Sequence, residues 1–350
     1  MNILYKWLIL LNVMKEIVFF ETHASDKKYL KKNLKDFKLK FFEECIQDVD
    51  IKKYKSADFI SVFIYSKVTE EIIEQMPKLK HIATRSTGFD HIAHKFCAER
   101  KICVSNVPFY GENTVAEHTF ALILNLSRKV HLSYLREKKG DYSIEGLQGF
   151  DLKGKTLGVI GAGRIGLHTI KIAKGFGMHV KAFDLHKDSF TSGLLHFEYA
   201  SVDEILKTSD IVTLHMPYFK ATHHFMNKSR LNKMKKGALL INTARGGLVD
   251  TDALYDVLKK GKLGGVGLDV IEGEELIGHE DELVKNKRAN KVKVDAVFRD
   301  HKIFDMPNVI FTPHNAFNSI EAINRILDTN IDNLNNFGKK GKQIFQINKF

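Results

Sequence analysis

The sequence predicts an α/β fold made of two doubly wound parallel-sheet domains with a cleft between them. Three observations carry this expectation. The chain has 350 residues, and domains of roughly 100–200 residues make two the natural number. Short β-branched or apolar runs alternate with amphipathic stretches in two successive series, the pattern of parallel strands covered by helices. All five prolines (Pro77, Pro108, Pro217, Pro307 and Pro313) fall at the edges of these runs, where a missing N–H costs least.

Composition narrows the class. Hydrophobic residues make up 44% and charged residues 27%, which excludes wholesale disorder. Lys+Arg 54 against Asp+Glu 42 leaves a formal charge of +12, which admits nucleic acid or anionic small molecules as partners. The charged stretch Lys285 to Lys302 has no interleaved aromatic beyond Phe298, so nucleic acid is not expected. Cys45, Cys97 and Cys103 are odd in number and form no CxxC. They read as free thiols of a reducing, cytoplasmic protein, and no metal ligands are expected. The opening run MNILYKWLILLNVM is too short to span a bilayer. Residues 1–13 read as an extension, with the folded chain starting near Met14. A secretory segment is the alternative, although no small-x-small cleavage site follows directly.

The first series offers strands at Ile17–Phe20, Phe59–Ile64, His81–Thr84 and Ile102–Val104. Thr114-Val115-Ala116-Glu117 fits a capping box, and apolar positions from Phe120 to Val130 extend a long helix to His131. Lys138 to Gly149 is polar and reads as loop. The second series places strands at Thr156–Ile160, His179–Phe183, Asp210–His215, Ala238–Asn242, Gly264–Asp269 and Val309–Thr312. Ser201-Val202-Asp203-Glu204 is a second capping box, and Lys285 to Lys302 reads as a solvated insertion. Ile320, Ile323, Leu327, Ile331 and Leu334 share one face of a last helix, Ser319–Phe337, with Gly338 at its expected C-cap.

Gly161-Ala162-Gly163-Arg164-Ile165-Gly166 is GxGxxG placed directly after a strand and opening a helix. Gly161 permits the tight turn, Gly163 lets backbone approach a pyrophosphate, and Gly166 allows close packing of helix on strand. The helix N-terminus supplies N–H groups and positive dipole to the phosphates. Asp184 closes the next strand and can accept hydrogen bonds from ribose hydroxyls, which disfavours a 2′-phosphate and points to NAD. His186 and Lys187 beside it leave room for NADP. The two domains are therefore expected to be Rossmann-like.

Charged residues gather past the strand ends of the second series: Arg245, Asp269, Glu274 and His314. Ligands of open α/β sheets bind there. Together with RSTGFD (Arg85–Asp90), VPFYGENTVAEH (Val107–His118), LHMP (Leu214–Pro217), NTARGGLVD (Asn242–Asp250), GLDVIEGE (Gly267–Glu274) and TPHNAF (Thr312–Phe317), the chain resembles the D-isomer-specific 2-hydroxyacid dehydrogenases. It is most similar to their D-lactate dehydrogenase branch. The resemblance is dense from about His81 to Arg325.

The resemblance implies a catalytic triad of Arg245, Glu274 and His314. Arginine offers a fixed, charged fork for a carboxylate. Histidine, with an ordinary pKa of about 6.5, can give and take a proton near neutrality, and a carboxylate on its other nitrogen fixes the tautomer. Glu272 is a rival partner for His314, and spacing from Asp269 favours Glu274. The resemblance further implies that Thr87 and Gly88 hold the substrate carboxylate through backbone N–H groups, with Tyr110 in the substrate pocket. It places Gly161, Gly163, Arg164, Ile165 and Gly166 at the pyrophosphate, Asp184 at the ribose, and Met216 and Pro217 after the strand ending in LHMP. Thr222, Thr243, Ala244, Arg245 and Asp269 complete the nicotinamide side.

The implied division is a flavodoxin-like substrate domain (14–112 with 313–350) and an NAD-binding domain (113–312). The implied reaction is reduction of a small 2-oxo acid, with pyruvate to D-lactate first. Hydroxypyruvate, glyoxylate, 3-phosphoglycerate or a bulkier oxo acid in the same fold are alternatives, as is a regulatory NADH-binding protein resembling the corepressors that share this fold. A homodimer joined through the cofactor domains is expected, with no membrane contact.

Overall fold

A computed structural model describes residues 14–274, 277, 291–341 and 345–348. The expected extension, residues 1–13, lies outside the described residues, as does most of 275–290. The chain divides into two compact units, Met1–Tyr110 with Ile320–Phe350, and Gly111–Ser319.

The first unit carries five parallel strands: β1 (Glu16–Phe19), β2 (Lys38–Phe41), β3 (Phe59–Val62), β4 (His81–Thr84) and β5 (Cys103–Ser105). Their order is β2-β1-β3-β4-β5, the flavodoxin-like arrangement. β1, β3 and β4 are buried along their whole length, as central parallel strands with helices on both faces must be, and β5 at the other edge is buried as well. Edge strand β2 was not expected. Its KLKF alternates exposed and half-buried positions, so it lacks the apolar run that marks the others. The helix Ile320–Lys340 lays Leu327, Ile331 and Leu334 on Ile17, Phe19, Phe59 and Ala83. It runs through Gly338, which is therefore no C-cap. A Cβ there would sit 2.6 Å from the Phe37 ring, so the glycine serves close packing of the helix.

The second unit carries seven parallel strands: β6 (Thr156–Ile160), β7 (His179–Phe183), β8 (Glu198–Tyr199), β9 (Ile211–Leu214), β10 (Leu239–Asn242), β11 (Gly265–Leu268) and β12 (Val309–Phe311). The order β12-β11-β10-β9-β6-β7-β8 is the doubly wound dinucleotide-binding arrangement, and it reverses direction between β6 and β9. The helix Glu112–Arg128 buries Phe120, Leu122, Ile123 and Leu126 against Leu157, Val159, Leu239 and Ile241. It starts after Gly111, so Thr114 lies inside it and the capping box expected there does not form. The helix also ends earlier than expected. Lys129 turns left-handed at φ 53, and a separate helix, Val130–Glu137, follows. Ser201 does cap its helix, accepting from Glu204 N at 3.2 Å.

One further expectation is corrected. The charged stretch Lys285–Lys302 is not simply solvated, because Lys291–Phe304 forms a helix whose Val297, Asp300 and Ile303 are buried. Asp300 takes a core position in a helical stripe, and its charge hides the period. Arg299 pairs with it at 3.0 Å and with Asp252 at 2.9 Å. Burial pushes the Asp300 carboxyl up to about 6 against the pull of Arg299, with Glu272 adding to the rise.

Candidate active site

The glycine turn sits at the point where the second sheet reverses. Gly161 has φ 101, and a Cβ there would lie 2.7 Å from the carbonyl carbon of His215, in the segment leaving β9. A Cβ on Gly166 would lie 2.0 Å from the carbonyl oxygen of Gly161, so only glycine lets the helix Arg164–Gly175 close onto the turn. Gly163, between them, faces open space, and no side chain caps the helix N-terminus. That combination is a backbone cradle with room for an anionic group, and it fits the pyrophosphate of NAD. Asp184 braces the turn: its Oδ2 accepts from Ala162 N at 2.8 Å and its Oδ1 from His186 N at 2.9 Å. A carboxylate has about four acceptor sites, so it retains capacity for ribose hydroxyls. Arg164 sits 3.6 Å from Glu112, and Ile165 is half-buried beside it.

Across the switch point, His215 is held between Thr169 and Thr213, its Nε2 3.2 and 3.0 Å from their hydroxyls. Desolvation pushes its imidazole down to about 3, so it stays neutral. Met216 and Pro217 follow at the strand end. Thr222 Oγ1 accepts from Phe219 N at 2.7 Å and lies 3.0 Å from Pro217 O, so this hydroxyl closes its own loop.

The segment after β10 is fixed from below by Asn242. This fully buried residue accepts from Ala244 N at 3.1 Å and donates to Arg245 O at 2.8 Å. Thr243 is tied to Thr119 at 3.0 Å. Arg245 emerges from this turn, and its Nη1 donates to Ala244 O at 2.8 Å.

Asp269, at the end of β11, is 1% exposed. Its carboxylate accepts from the Thr312 hydroxyl, from Asn315 N at 2.8 Å and from Ala316 N at 2.9 Å, and its carbonyl accepts from His314 N at 2.8 Å. His118 stands 3.4 Å away on the other side. These bonds enclose His314, whose φ of 49 is unusual for a side-chain-bearing residue and costs roughly 1–2 kcal/mol. The carboxylate expected on the nicotinamide side thus spends its contacts holding the loop of His314. Nδ1 of His314 meets Glu274 Oε1 at 2.6 Å, and Glu274 Oε2 accepts from Ile271 N at 3.1 Å. Glu272 turns instead to His224, at 3.0 and 3.1 Å.

In the first unit, Thr87 and Gly88 follow β4. Thr87 Oγ1 donates to Val107 O at 2.8 Å and Ser86 Oγ to Gly88 O at 2.6 Å, while Tyr110 O accepts from Arg325 Nε at 2.6 Å. Asn242, His118 and His215 escaped the sequence reading as site residues. Each lies inside a quoted motif, which is the signal that could have found them.

A family model for the D-isomer specific 2-hydroxyacid dehydrogenase NAD binding domain matches residues 120–316. The chain belongs to this family. Among curated relatives, a D-lactate dehydrogenase of Escherichia coli is 34% identical over 93% of the chain and 97% of that protein. A 2-hydroxyacid dehydrogenase homolog of Haemophilus influenzae is 35% identical over 91% of the chain and 95% of its own length. Among solved structures, a D-lactate dehydrogenase from Aquifex aeolicus complexed with NAD and lactic acid superposes with a TM-score of 0.85, at 38% identity, covering 94% of this chain and 98% of that one. As a member of this family the protein is an NAD-dependent oxidoreductase acting on a CH–OH group, and its NAD-binding domain is the unit that holds the glycine cradle. No helix among the described residues is long and apolar enough to cross a membrane.

Proposed function

We propose that the protein is a D-lactate dehydrogenase that reduces pyruvate with NADH. The observation that carries this reading is the 2.6 Å contact between His314 and Glu274, set past the ends of adjacent strands β11 and β12 beside the Arg245 turn of β10. Relatives named D-lactate dehydrogenase support pyruvate over other 2-oxo acids.

Bound NADH supplies the hydride that adds to C2. Every other task falls to the chain. Glu274 accepts a hydrogen bond from Nδ1–H of His314, and the Nε2–H of the imidazolium gives its proton to the substrate carbonyl oxygen, leaving neutral imidazole. Arg245 grips the substrate carboxylate with its planar fork and draws charge from the neighbouring carbonyl. Asp269 keeps the His314 loop in place. In this reading Thr87, Gly88 and Tyr110 keep the substrate-binding roles given by the family resemblance. Asp184 selects NADH, since a carboxylate repels a 2′-phosphate.

The working form is a cytoplasmic homodimer. Val130, Tyr134, Leu135, Tyr142 and Ile144 are exposed on and just after the helix Val130–Glu137, an apolar surface suited to a second copy.

The test is a 340 nm assay over pyruvate, hydroxypyruvate, glyoxylate and phenylpyruvate with NADH and NADPH. The highest kcat/KM is expected for pyruvate with NADH. A preference for phenylpyruvate would move the protein toward the aromatic 2-oxoacid reductases of Clostridium sporogenes, to which it is 37% identical over 82% of its length.

A further inference from the structure

The segments that leave β9 and β11 meet at a second cluster, which the proposed hydride chemistry does not use. His223 and His224 stack with ring centroids 3.8 Å apart. Nε2 of His224 lies 3.0 and 3.1 Å from the two carboxylate oxygens of Glu272. A ligand atom from each of His223, His224 and Glu272 lies within 4.8 Å of the other two, and among the described residues this is the group of three His, Cys, Asp or Glu side chains so arranged.

The backbone under these ligands is fixed. His224 has φ 50, and its N–H donates to Gly247 O at 2.8 Å. Two residues on, Met226 N donates to Leu248 O at 2.8 Å, and Met226 forms a parallel bridge with Val249. The Tyr218 hydroxyl stands 3.1 Å from Nδ1 of His223 and orients that ring, as outer-shell partners orient metal-ligating histidines. The His224 and Glu272 side chains are 34% and 36% exposed, so an ion can reach them. Buried Asp300 lies close enough to Glu272 to feel its charge, and a cation at Glu272 offsets that repulsion.

The spacing also fits. A tetrahedral ion with ligands at ~2.1 Å holds them roughly 3.4 Å apart, inside the 4.8 Å span of these three ligand atoms, so the 3.0 Å His224–Glu272 contact opens only slightly to admit it. Two imidazoles and one carboxylate suit zinc, nickel, copper(II) or cobalt. Calcium and magnesium require oxygen-rich shells.

We propose that His223, His224 and Glu272 form a binding site for a divalent transition-metal ion. The ion ties the segment that runs along Gly247–Val249 to the segment that carries Glu274. It is a site separate from the NAD cradle, and its test does not depend on which 2-oxo acid is reduced.

Calorimetric titration of the full chain with Ni²⁺, after removal of metal by chelator, should show one tight equivalent. His224→Asn should weaken that equivalent at least about tenfold, as should Glu272→Gln. Asparagine tolerates the left-handed backbone at 224, and His223→Gln, at an exposed position, gives a third variant. His179→Ala, exposed on β7, should leave the titration unchanged. Electron paramagnetic resonance of bound Cu²⁺ should report two nitrogen ligands in the wild type and fewer in His224→Asn. Full Ni²⁺ affinity in all three variants, no tight equivalent in the wild type, or a copper spectrum without two nitrogens would overturn the site.

Discussion

The two units use their strand ends in opposite ways. Past β4 in the first unit, Arg85 turns inward. It is 4% exposed, and its guanidinium donates to Ser61 Oγ at 2.9 Å, Phe20 O at 2.6 Å and Glu21 O at 2.7 Å. Beyond it, Ser86 is buried while Thr87 and Asp90 are exposed. Past β11 and β12 in the second unit, Asp269 turns inward in the same manner, yet it does so to present a half-buried imidazole–carboxylate pair, His314 and Glu274. A charged residue at a strand end is therefore scaffold or chemistry according to whether its polar atoms are already consumed. Arg85 and Asp269 are consumed. His314 turns Nδ1 to Glu274, and the proposed proton transfer uses its other ring nitrogen.

That distinction can be broken experimentally, and the largest effect belongs to His314. His314→Ala should lower kcat by about 10²–10⁴ in a 340 nm assay, the usual worth of a positioned acid. NADH affinity by fluorescence titration and the thermal midpoint should stay near wild type, because the lost contact matters in the transition state. A variant that loses stability along with activity would place His314 in the scaffold class.

Arg85→Met should behave in the reverse way. It leaves the carbonyls of Phe20 and Glu21 short of a buried donor, at about 3 kcal/mol in urea unfolding. The folded fraction should turn over with an unchanged KM for NADH. Loss of turnover without loss of stability would make Arg85 a working residue and erase the contrast between the units.

Asp269→Asn lies between these two. The amide keeps one acceptor but points N–H at a backbone N–H of Asn315 or Ala316, which costs about 1–2 kcal/mol. The His314 loop should loosen, so stability and kcat should fall together, kcat by roughly tenfold, a 1.4 kcal/mol effect. An unchanged kcat would show that the loop holds His314 without this cage.

The same contrast explains what could be read from sequence. The glycine turn is local: Gly161, Gly163 and Gly166 lie within six residues and Gly166 closes onto Gly161, so their spacing carries the geometry. The strands that gave themselves away hold continuous apolar runs, such as Ile17–Phe19 in β1 and Leu157–Ile160 in β6. Where a position serves two demands, the pattern fails. KLKF is an edge strand and half polar, Asp300 interrupts an apolar helix stripe, and Gly338 packs against Phe37 instead of ending its helix. Thr114 has cap chemistry but sits inside a helix whose start is set by Gly111. The pairing of His314 with Glu274 spans 40 residues and that of His224 with Glu272 spans 48. The first was legible only through family resemblance. The second, joining residues that no motif links, was not legible.

The smallest expected effect concerns acid, and it compares buried His81 of the first unit with half-buried His215 of the second. His81 in the first unit is 1% exposed, with Nε2 2.7 Å from Ser105 Oγ, and burial pushes it down to about 3. His215 in the second unit is likewise pushed down to about 3. The unfolded chain binds a proton at each near the ordinary value of about 6.5 and the folded chain does not. The stability each contributes is therefore fully present above about 6.5 and is lost as pH falls from there toward 3, by up to about 1.4 kcal/mol per pH unit per group. Asp300, pushed up to about 6, has the opposite sign: below about 6 it favours the folded state as pH falls, and so offsets part of this loss. The difference between variants, and not the wild-type slope, therefore isolates the histidines. Glutamine can keep a hydrogen-bonding group near Ser105 in His81→Gln and near Thr169 and Thr213 in His215→Gln. Each variant should lose less stability than the wild type between pH 7.5 and 5.5, measured by urea unfolding. If His215→Gln keeps the full acid sensitivity while His81→Gln removes its share, then His215 is open enough to charge in place, and the second unit carries its chemistry on a less sealed frame than the first.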